Sequence, residues 1–229
     1  ELAAAVPEFV ARNRGQITAD DDWSIVAFAT PGVAGTGKPN VCVHGWPLQF
    51  HQWAEFYDRG LSAVVSDVRQ VPDNCWPSEL KCRSRMHYYL AELHAKAQQP
   101  GARAILLDQD GFVAESTTAN VLVYREEEGL SSPPNDHILV GISMGVVQEL
   151  AGQLGIPFMR RRIAPEELTA CDEVMLSSTS VCILPVVELD GQKIGDGQPG
   201  AVFQQLLAAW GEMVGVDIAG QARRFAARK

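Results

Sequence analysis

The stretch GFVAESTTAN, residues 111–120, is the part of the sequence that predicts the architecture most directly. The stretch begins at the end of a predicted turn, Asp108–Gly111, in which the pair Asp110-Gly111 favours a tight hairpin. Residues with high strand propensity predict two short strands, at Val113–Glu115 and Val121–Tyr124. The sequence therefore predicts a hairpin that carries a carboxylate, Glu115, at the end of its first strand.

Helices and further short strands surround this hairpin. Apolar residues at +3, +4, +7 and +11 from Met86 predict an amphipathic helix that ends at Pro100-Gly101. A strand is predicted over Ile138–Val140, and apolar spacing predicts helices over residues 147–154 and 203–214. Hairpins interrupted by single helices indicate an α+β fold rather than a regular βαβ series.

The chain has 229 residues, enough for one large domain or two small ones. A change of pattern near residue 76 predicts a boundary there, which separates a small N-terminal domain, residues 1–76, from a larger one, residues 77–229. The chain begins without Met, which suggests that the small domain is incomplete.

Charge and composition exclude several classes of protein. The formal net charge is −9, so the chain offers no net attraction to a nucleic-acid backbone. The sequence contains no uninterrupted apolar run long enough to span a bilayer, so no membrane insertion is expected. Five scattered cysteines without a Cys-x-x-Cys pair argue against zinc and indicate free thiols in a reducing cytoplasm.

Two kinds of active site compete for the motif GISMG, residues 141–145. It matches the G-x-S-x-G nucleophile elbow of serine hydrolases, and His44-Gly45-Trp46-Pro47 is similar to their oxyanion loop. In α/β-hydrolases the catalytic histidine follows the serine, whereas all five histidines of this chain precede Ser143. The hydrolase is therefore a remote alternative, and Ser143 can equally be the N-cap of a helix.

The second kind is a pyridoxal-phosphate (PLP) site. It requires a lysine for a Schiff base, an acid that faces the pyridine nitrogen, and a phosphate cradle, commonly at a helix N-terminus. Of the five lysines, four lie in loops, on a polar helix side or at the terminus. Lys81 differs, because it lies just before the predicted helix that starts at Met86.

The order of the motifs resembles the class IV aminotransferases, which are fold-type IV PLP enzymes. The family pattern is a lysine, a helix, a hairpin with Glu and then Asn, a Gly-Ile-Thr motif and a Ser/Thr-rich stretch before Pro-Val. Here these positions are Lys81, residues 111–120, Gly141-Ile142-Ser143, and Ser177–Ser180 ahead of Pro185-Val186. The resemblance implies a small N-terminal α/β domain and a larger C-terminal PLP-binding domain of mixed α/β pseudo-barrel form.

The resemblance also assigns roles to residues. Lys81 would carry the cofactor as a Schiff base and then transfer the Cα proton of the substrate. Glu115 would pair with the pyridine nitrogen, and Asn120 would hold the Glu115 hairpin.

Four further residues, by the same resemblance, would bind the cofactor phosphate, and one would line the substrate pocket. Ile142 and Ser143 would bind the phosphate at the start of a helix, and Ser178 and Thr179 would complete the cradle. Thr118 would line the substrate pocket. The family has Thr-Arg after Gly-Ile, and it has a phosphate-binding Arg-Leu pair in an N-terminal stretch that finds no equivalent here.

The sequence thus predicts a PLP-dependent aminotransferase that moves an amino group between a small amino acid and a 2-oxo acid. A PLP-dependent lyase of the aminodeoxychorismate lyase type is an alternative, as is a protein of this fold that binds the cofactor without catalysis. The resemblance also implies a homodimer, and the cysteine pattern predicts a cytoplasmic location.

Overall fold

The computed structural model describes residues 2–16 and 22–227 of the chain. Its smaller compact unit comprises Glu1–Gln52 and Ala222–Lys229. This unit contains helix α1 (Leu2–Asn13) and an antiparallel hairpin of β1 (Trp23–Thr30) and β2 (Asn40–Pro47). The sequence predicts a short helix over residues 2–13 and a β-rich stretch from Trp23 to Thr30, and both are confirmed with these bounds. Three glycines with positive φ lie in the loop between the strands, which explains why this stretch is not a continuous strand.

The larger unit, Trp53–Gln221, is built around a nine-stranded sheet in which the hairpin of residues 111–120 is central. Its strands are β3 (Leu61–Val65), β4 (Arg103–Leu107), β5 (Val113–Ser116), β6 (Ala119–Arg125), β7 (Gly129–Ser132), β8 (Phe158–Arg160), β9 (Glu173–Ser178), β10 (Cys182–Leu189) and β11 (Gln192–Lys193).

Six of these strands close into a ring. Its order is β10, β3, β4, β5, β6 and β9, and β9 pairs with β10 to complete the circuit. Strand β3 runs parallel to both of its neighbours, and the other four pairings are antiparallel. Closure gives every strand of the ring two partners and removes the free edges of an open sheet. The predicted pseudo-barrel is therefore confirmed.

Helices accompany the sheet of the larger unit. They are α2 (Phe56–Arg59), α3 (Met86–Gln98), α4 (Ile142–Gln153), α5 (Glu167–Ala170) and α6 (Ala201–Val214), and a last helix, α7 (Ile218–Ala226), follows them in the chain. Helix α3 packs on β4, and α4 packs on α6 and β9. Strand β4 is almost completely buried, which agrees with its continuous apolar sequence AILL.

The apolar stripe of α3 does not face the core. The helix itself is confirmed, but its large apolar residues are exposed by 46–66%. They are Met86, Tyr89, Leu90 and Leu93. The face that packs on β4 presents Ala91 and Ala95, both fully buried. The small alanine side chains allow α3 to pack closely on the sheet. The large apolar residues therefore lie on the opposite face of this helix.

The predicted strand over Ile138–Val140 is wrong. This segment pairs with no strand of the described residues, and it leads directly into α4. Its backbone hydrogen bonds go to side chains instead: the N–H of Leu139 donates to Glu115, and its carbonyl accepts from Asn120. Side-chain partners thus satisfy the backbone groups that a neighbouring strand would otherwise satisfy.

The domain boundary predicted near residue 76 falls inside the larger compact unit. Strand β3 is the reason, because it lies between β10 and β4 in the closed sheet and so belongs with the residues that follow it. None of the helices in the described part of the chain is long and apolar enough to cross a membrane.

Candidate functional site

Lys81 and Glu115 line the same cavity, which has a volume of about 250 Å³. Lys81 lies in the loop before α3, and Glu115 lies on β5, where it is only 4% exposed. The cavity lining also includes Gln70, Tyr88, His137 and Leu139. Two groups that are 34 positions apart in the sequence are therefore brought to one cavity by the packing of α3 on β4, the strand that pairs with β5.

The environment of Lys81 makes its amine easier to deprotonate than an exposed lysine. Partial burial is the main cause that lowers the pKa of Lys81, and the charge of Arg85 lowers this pKa further. The negative charge of Glu115 acts in the opposite direction and raises this pKa. A lysine with a lowered pKa holds more of its amine in the nucleophilic form at neutral pH.

Glu115 is a buried carboxylate surrounded by hydrogen-bond donors. Burial raises its pKa above the ordinary value. Hydrogen bonds from Tyr88, from the Leu139 N–H and from Gln70, together with the charge of Lys81, act to lower the same pKa. The donors therefore offset part of the cost of burying a charge, which is the arrangement expected of a functional acid.

Asn120 joins the Glu115 hairpin to the start of α4. It lies directly opposite Glu115 in the pairing of β5 with β6. Its Nδ2 donates to the carbonyl of Leu139 at 2.7 Å, and its Oδ1 accepts from the Gly141 N–H at 3.2 Å. These bonds agree with the structural role expected for Asn120.

The four residues predicted to bind phosphate lie near Asn120 rather than in the cavity lining. Ile142 and Ser143 are the first two residues of α4, so the N-cap is Gly141 and not Ser143. Ser178 ends β9, one residue after the position that pairs with Asn120, and Thr179 follows in an exposed turn.

Exposure differs between the two residues at the start of α4. Ile142 is 89% exposed, whereas Ser143 is 7% exposed. The first N–H groups of an α-helix have no acceptor within the helix, so this end of α4 can bind an anion. The phosphate role of the four residues stays a prediction.

Thr118 lies away from the cavity. It is exposed in the turn between β5 and β6, and its Oγ1 accepts a hydrogen bond from Arg103 Nη2 at 3.1 Å. The residues that line the cavity do not include Thr118. Its predicted place in a substrate pocket therefore receives no support from this cavity.

Tyr88 and Gln70 contact Glu115 but were not singled out from the sequence. Both donate to its Oε1. The helical spacing of α3 does indicate an inward position for Tyr88. This residue lies three positions before Ala91 and seven before Ala95, on the face of α3 that packs inward. Gln70 lies in an irregular segment, where no periodicity indicates which side chains point inward.

The sequence matches the family model described as amino-transferase class IV over residues 2–189. This range covers most of the chain. The chain belongs to the class IV aminotransferases.

Individual relatives within the family agree with this assignment. The chain is 36% identical to a probable branched-chain-amino-acid aminotransferase of Aquifex aeolicus (strain VF5), over 69% of this chain and 52% of the relative. It is 31% identical to a D-alanine aminotransferase of Bacillus licheniformis, over 75% of this chain and 58% of the relative. The chain thus spans about half the length of these curated relatives.

A solved structure supports the class IV aminotransferase fold. The branched-chain amino acid aminotransferase of Escherichia coli superposes with a TM-score of 0.79 at 24% identity. The match covers 95% of this chain and 71% of that one. The predicted fold class, fold-type IV with a mixed α/β pseudo-barrel, is confirmed.

Membership of the class IV aminotransferases counts against the hydrolase interpretation of residues 141–145. Ser143 lies within the first turn of α4 and is buried. The family and its named relatives favour neither the hydrolase nor the lyase alternative. Within the described ranges, no group of three or more His, Cys, Asp or Glu residues is placed to hold a metal ion.

Substituting the two glycines of this motif tests the contact with Asn120. A Cβ atom at Gly141 would lie 2.4 Å from Asn120 Oδ1, whereas a Cβ at Gly145 would meet nothing within 4 Å. We expect Gly141→Ala to lower the free energy of unfolding by roughly 1–3 kcal/mol, because the hairpin and the start of α4 must separate. Urea denaturation measures this change.

Gly145→Ala is the matched control. It should raise the free energy of unfolding by about 0.5–1 kcal/mol, because alanine favours the helix interior over glycine. Equal stability of the two variants would show that the Asn120 contact does not hold α4 in place.

Proposed function

We propose that this chain is a PLP-dependent aminotransferase that moves an amino group between a small amino acid and a 2-oxo acid. The observation that carries the proposal is the placement of Lys81 and Glu115 on one cavity within the class IV aminotransferase fold. The names of the relatives support the same activity, since they are branched-chain and D-alanine aminotransferases.

The side chains at the cavity fit PLP. A Schiff base needs an amine that is readily deprotonated, and the pKa of Lys81 is lowered. A protonated pyridine nitrogen needs a facing carboxylate, and Glu115 is the buried acid of the same cavity. A phosphate group suits the N-terminus of α4 at Ile142 and Ser143, with Ser178 and Thr179 on the adjoining end of β9.

Each residue then has a defined task. When bound, PLP supplies an electron-withdrawing ring that accepts the amino group and stabilises negative charge at the substrate Cα. Lys81 Nζ would take the proton from that carbon and return it, a task that the lowered pKa of this amine favours. The Glu115 carboxylate would keep a proton on the ring nitrogen, and Asn120 holds the hairpin that carries Glu115 against the start of α4.

Replacing Lys81 tests the site of cofactor attachment. We expect Lys81→Ala to lose the visible absorbance band of lysine-bound PLP, because the amine that forms the bond is absent. After borohydride reduction of the unaltered protein, mass spectrometry should find the added mass on the peptide that contains Lys81.

Lys193→Ala is the control, since Lys193 is an exposed lysine in β11. It should keep the band. A band that survives in Lys81→Ala would assign the cofactor to another residue.

Transaminase and lyase activity are separated by their products. We expect the purified chain with PLP to form pyruvate from D- or L-alanine when 2-oxoglutarate is present, because the amino group of alanine is transferred to 2-oxoglutarate. A panel of amino donors and 2-oxo acceptors, followed by chromatography of both products, measures this. Release of an aromatic amine from aminodeoxychorismate without transfer to any acceptor would favour the lyase.

The proposal includes a homodimer in the cytoplasm. The exposed stripe of α3, consisting of Met86, Tyr89, Leu90 and Leu93, is a row of large apolar side chains on one helix face. Exposed apolar patches of this kind mark protein–protein contacts. The helix starts five residues after Lys81, so a second copy on this stripe would also cover the approach to the site.

Charge placed on the stripe tests the dimer. We expect Leu93→Asp to reduce the mass in solution to half, because a carboxylate would be buried in an apolar contact. Sedimentation velocity or light scattering measures the mass. Leu154→Asp is the matched control: Leu154 is exposed to a similar degree, 39% against 48% for Leu93, but lies at the end of α4. A Leu93→Asp variant that retains the dimer mass would contradict the assignment.

A further inference from the structure

Two side chains from different parts of the chain hold the same oxygen of Glu115. Tyr88 Oη and Gln70 Nε2 both donate to Glu115 Oε1. Gln70 Nε2 also donates to Tyr88 Oη at 3.3 Å, so the three polar groups form a closed triangle. The sequence separations of 27 and 45 residues from Glu115 show that tertiary packing, and not local structure, creates this arrangement.

The orientation of the Gln70 amide is fixed by its own neighbours. Its Oε1 accepts the backbone N–H of Val71 at 2.9 Å, which directs the NH₂ group toward Glu115. The backbone of Gln70 is also held, because its N–H donates to the Leu107 carbonyl at 2.9 Å and its carbonyl accepts from Gln109 Nε2 at 2.6 Å. The loop therefore presents Gln70 to Glu115 in one defined orientation.

Tyr88 is held by packing. Its ring lies against the buried cluster that joins α3 to β4, which includes Ala91, Ala95, Ala104 and Leu106. Leu106 is paired directly with Glu115 across β4 and β5. The hydroxyl of Tyr88 and the carboxylate of Glu115 therefore sit on two elements whose relative position is set by the same apolar core.

The other oxygen of Glu115 has spare accepting capacity. Oε2 accepts the backbone N–H of Leu139 at 3.4 Å, a long hydrogen bond, whereas Oε1 takes two side-chain donors. A carboxylate oxygen has two lone pairs, so Oε2 can accept a further N–H. We propose that Tyr88 and Gln70 are positioning residues, which lock Oε1 of Glu115 and so direct Oε2 to the ring nitrogen of the cofactor; this rests on the proposed function.

The same triangle influences the charge of Glu115. Burial raises the pKa of this carboxyl, and the Tyr88 and Gln70 hydrogen bonds oppose the rise. The titratable or charged groups that share the cavity with Glu115 include Lys81, Arg85, His87, Tyr88, Asp108 and His137. Removal of either donor should move the pKa of Glu115 upward, so Glu115 would become protonated, and lose its hold on the ring nitrogen, at a higher pH.

The test compares Tyr88→Phe with Tyr124→Phe. Both variants remove one tyrosine hydroxyl, but Tyr124 lies at the far end of β6, away from the cavity lining. Apoprotein of each is titrated with PLP, and quenching of tryptophan fluorescence gives the dissociation constant. We expect Tyr88→Phe to weaken PLP binding roughly tenfold, the effect of losing one hydrogen bond to a charged group, and Tyr124→Phe to leave it unchanged.

A pH titration of the visible band of the PLP-loaded proteins gives a second readout. The acid-side transition should move to higher pH in Tyr88→Phe, because a protonated Glu115 no longer pairs with a protonated ring nitrogen. In transaminase assays kcat should fall while KM for the amino donor stays constant, because Tyr88 acts through Glu115. A merely structural role for Tyr88 would lower stability without moving the transition.

Gln70→Leu provides an independent variant in case Tyr88→Phe does not fold. It removes the other donor to Oε1, and the same weakening and the same shift are expected. Folded variants whose PLP affinity and acid transition equal those of the unaltered protein would overturn the positioning role alone. An unaltered protein that forms no band with PLP would overturn the proposed function, and the positioning role with it.

Discussion

A carboxylate buried in a closed sheet is the constraint on which the rest of the site depends. Glu115 lies on β5 with 4% exposure, and a charge in such a position must be compensated by donors or it will be protonated. The donors come from three separate segments: the loop that carries Gln70, helix α3 with Tyr88, and the extended segment with Leu139. These segments all pack against β4, β5 or β6, so the ring of strands organises the environment of one acid.

The sequence predicts the elements of this arrangement well where local chemistry determines them. The hairpin around residues 111–120 follows from its Asp-Gly turn and its strand-forming residues, and α1 and β1 have the predicted bounds. Local propensity does not indicate a closed sheet. That expectation comes from the order of Lys81, Glu115 and Ser143, which resembles the pattern of the class IV aminotransferases. Strand closure depends on the long-range pairings of β10 with β3 and of β9 with β6, which only the tertiary structure determines.

Other features could not be predicted, because long-range packing decides them. Periodicity shows that α3 has a stripe of large apolar residues. It does not show that Ala91 and Ala95, rather than this stripe, face the core. The apolar sequence of Ile138–Val140 is typical of a strand, yet its partners are the side chains of Glu115 and Asn120. Contacts of this kind leave no pattern in the sequence.

The attachment of residues 138–140 has a mechanical consequence. A segment held by a strand ladder is released only when several backbone hydrogen bonds break together. This one is held by the side chains of Glu115 and Asn120 and by the burial of Ile138 in the core. Release of the segment therefore requires Ile138 to leave the core and two side-chain contacts to break, but it unzips no strand of the ring, and amide hydrogen exchange at Leu139 would report such an opening separately from global unfolding.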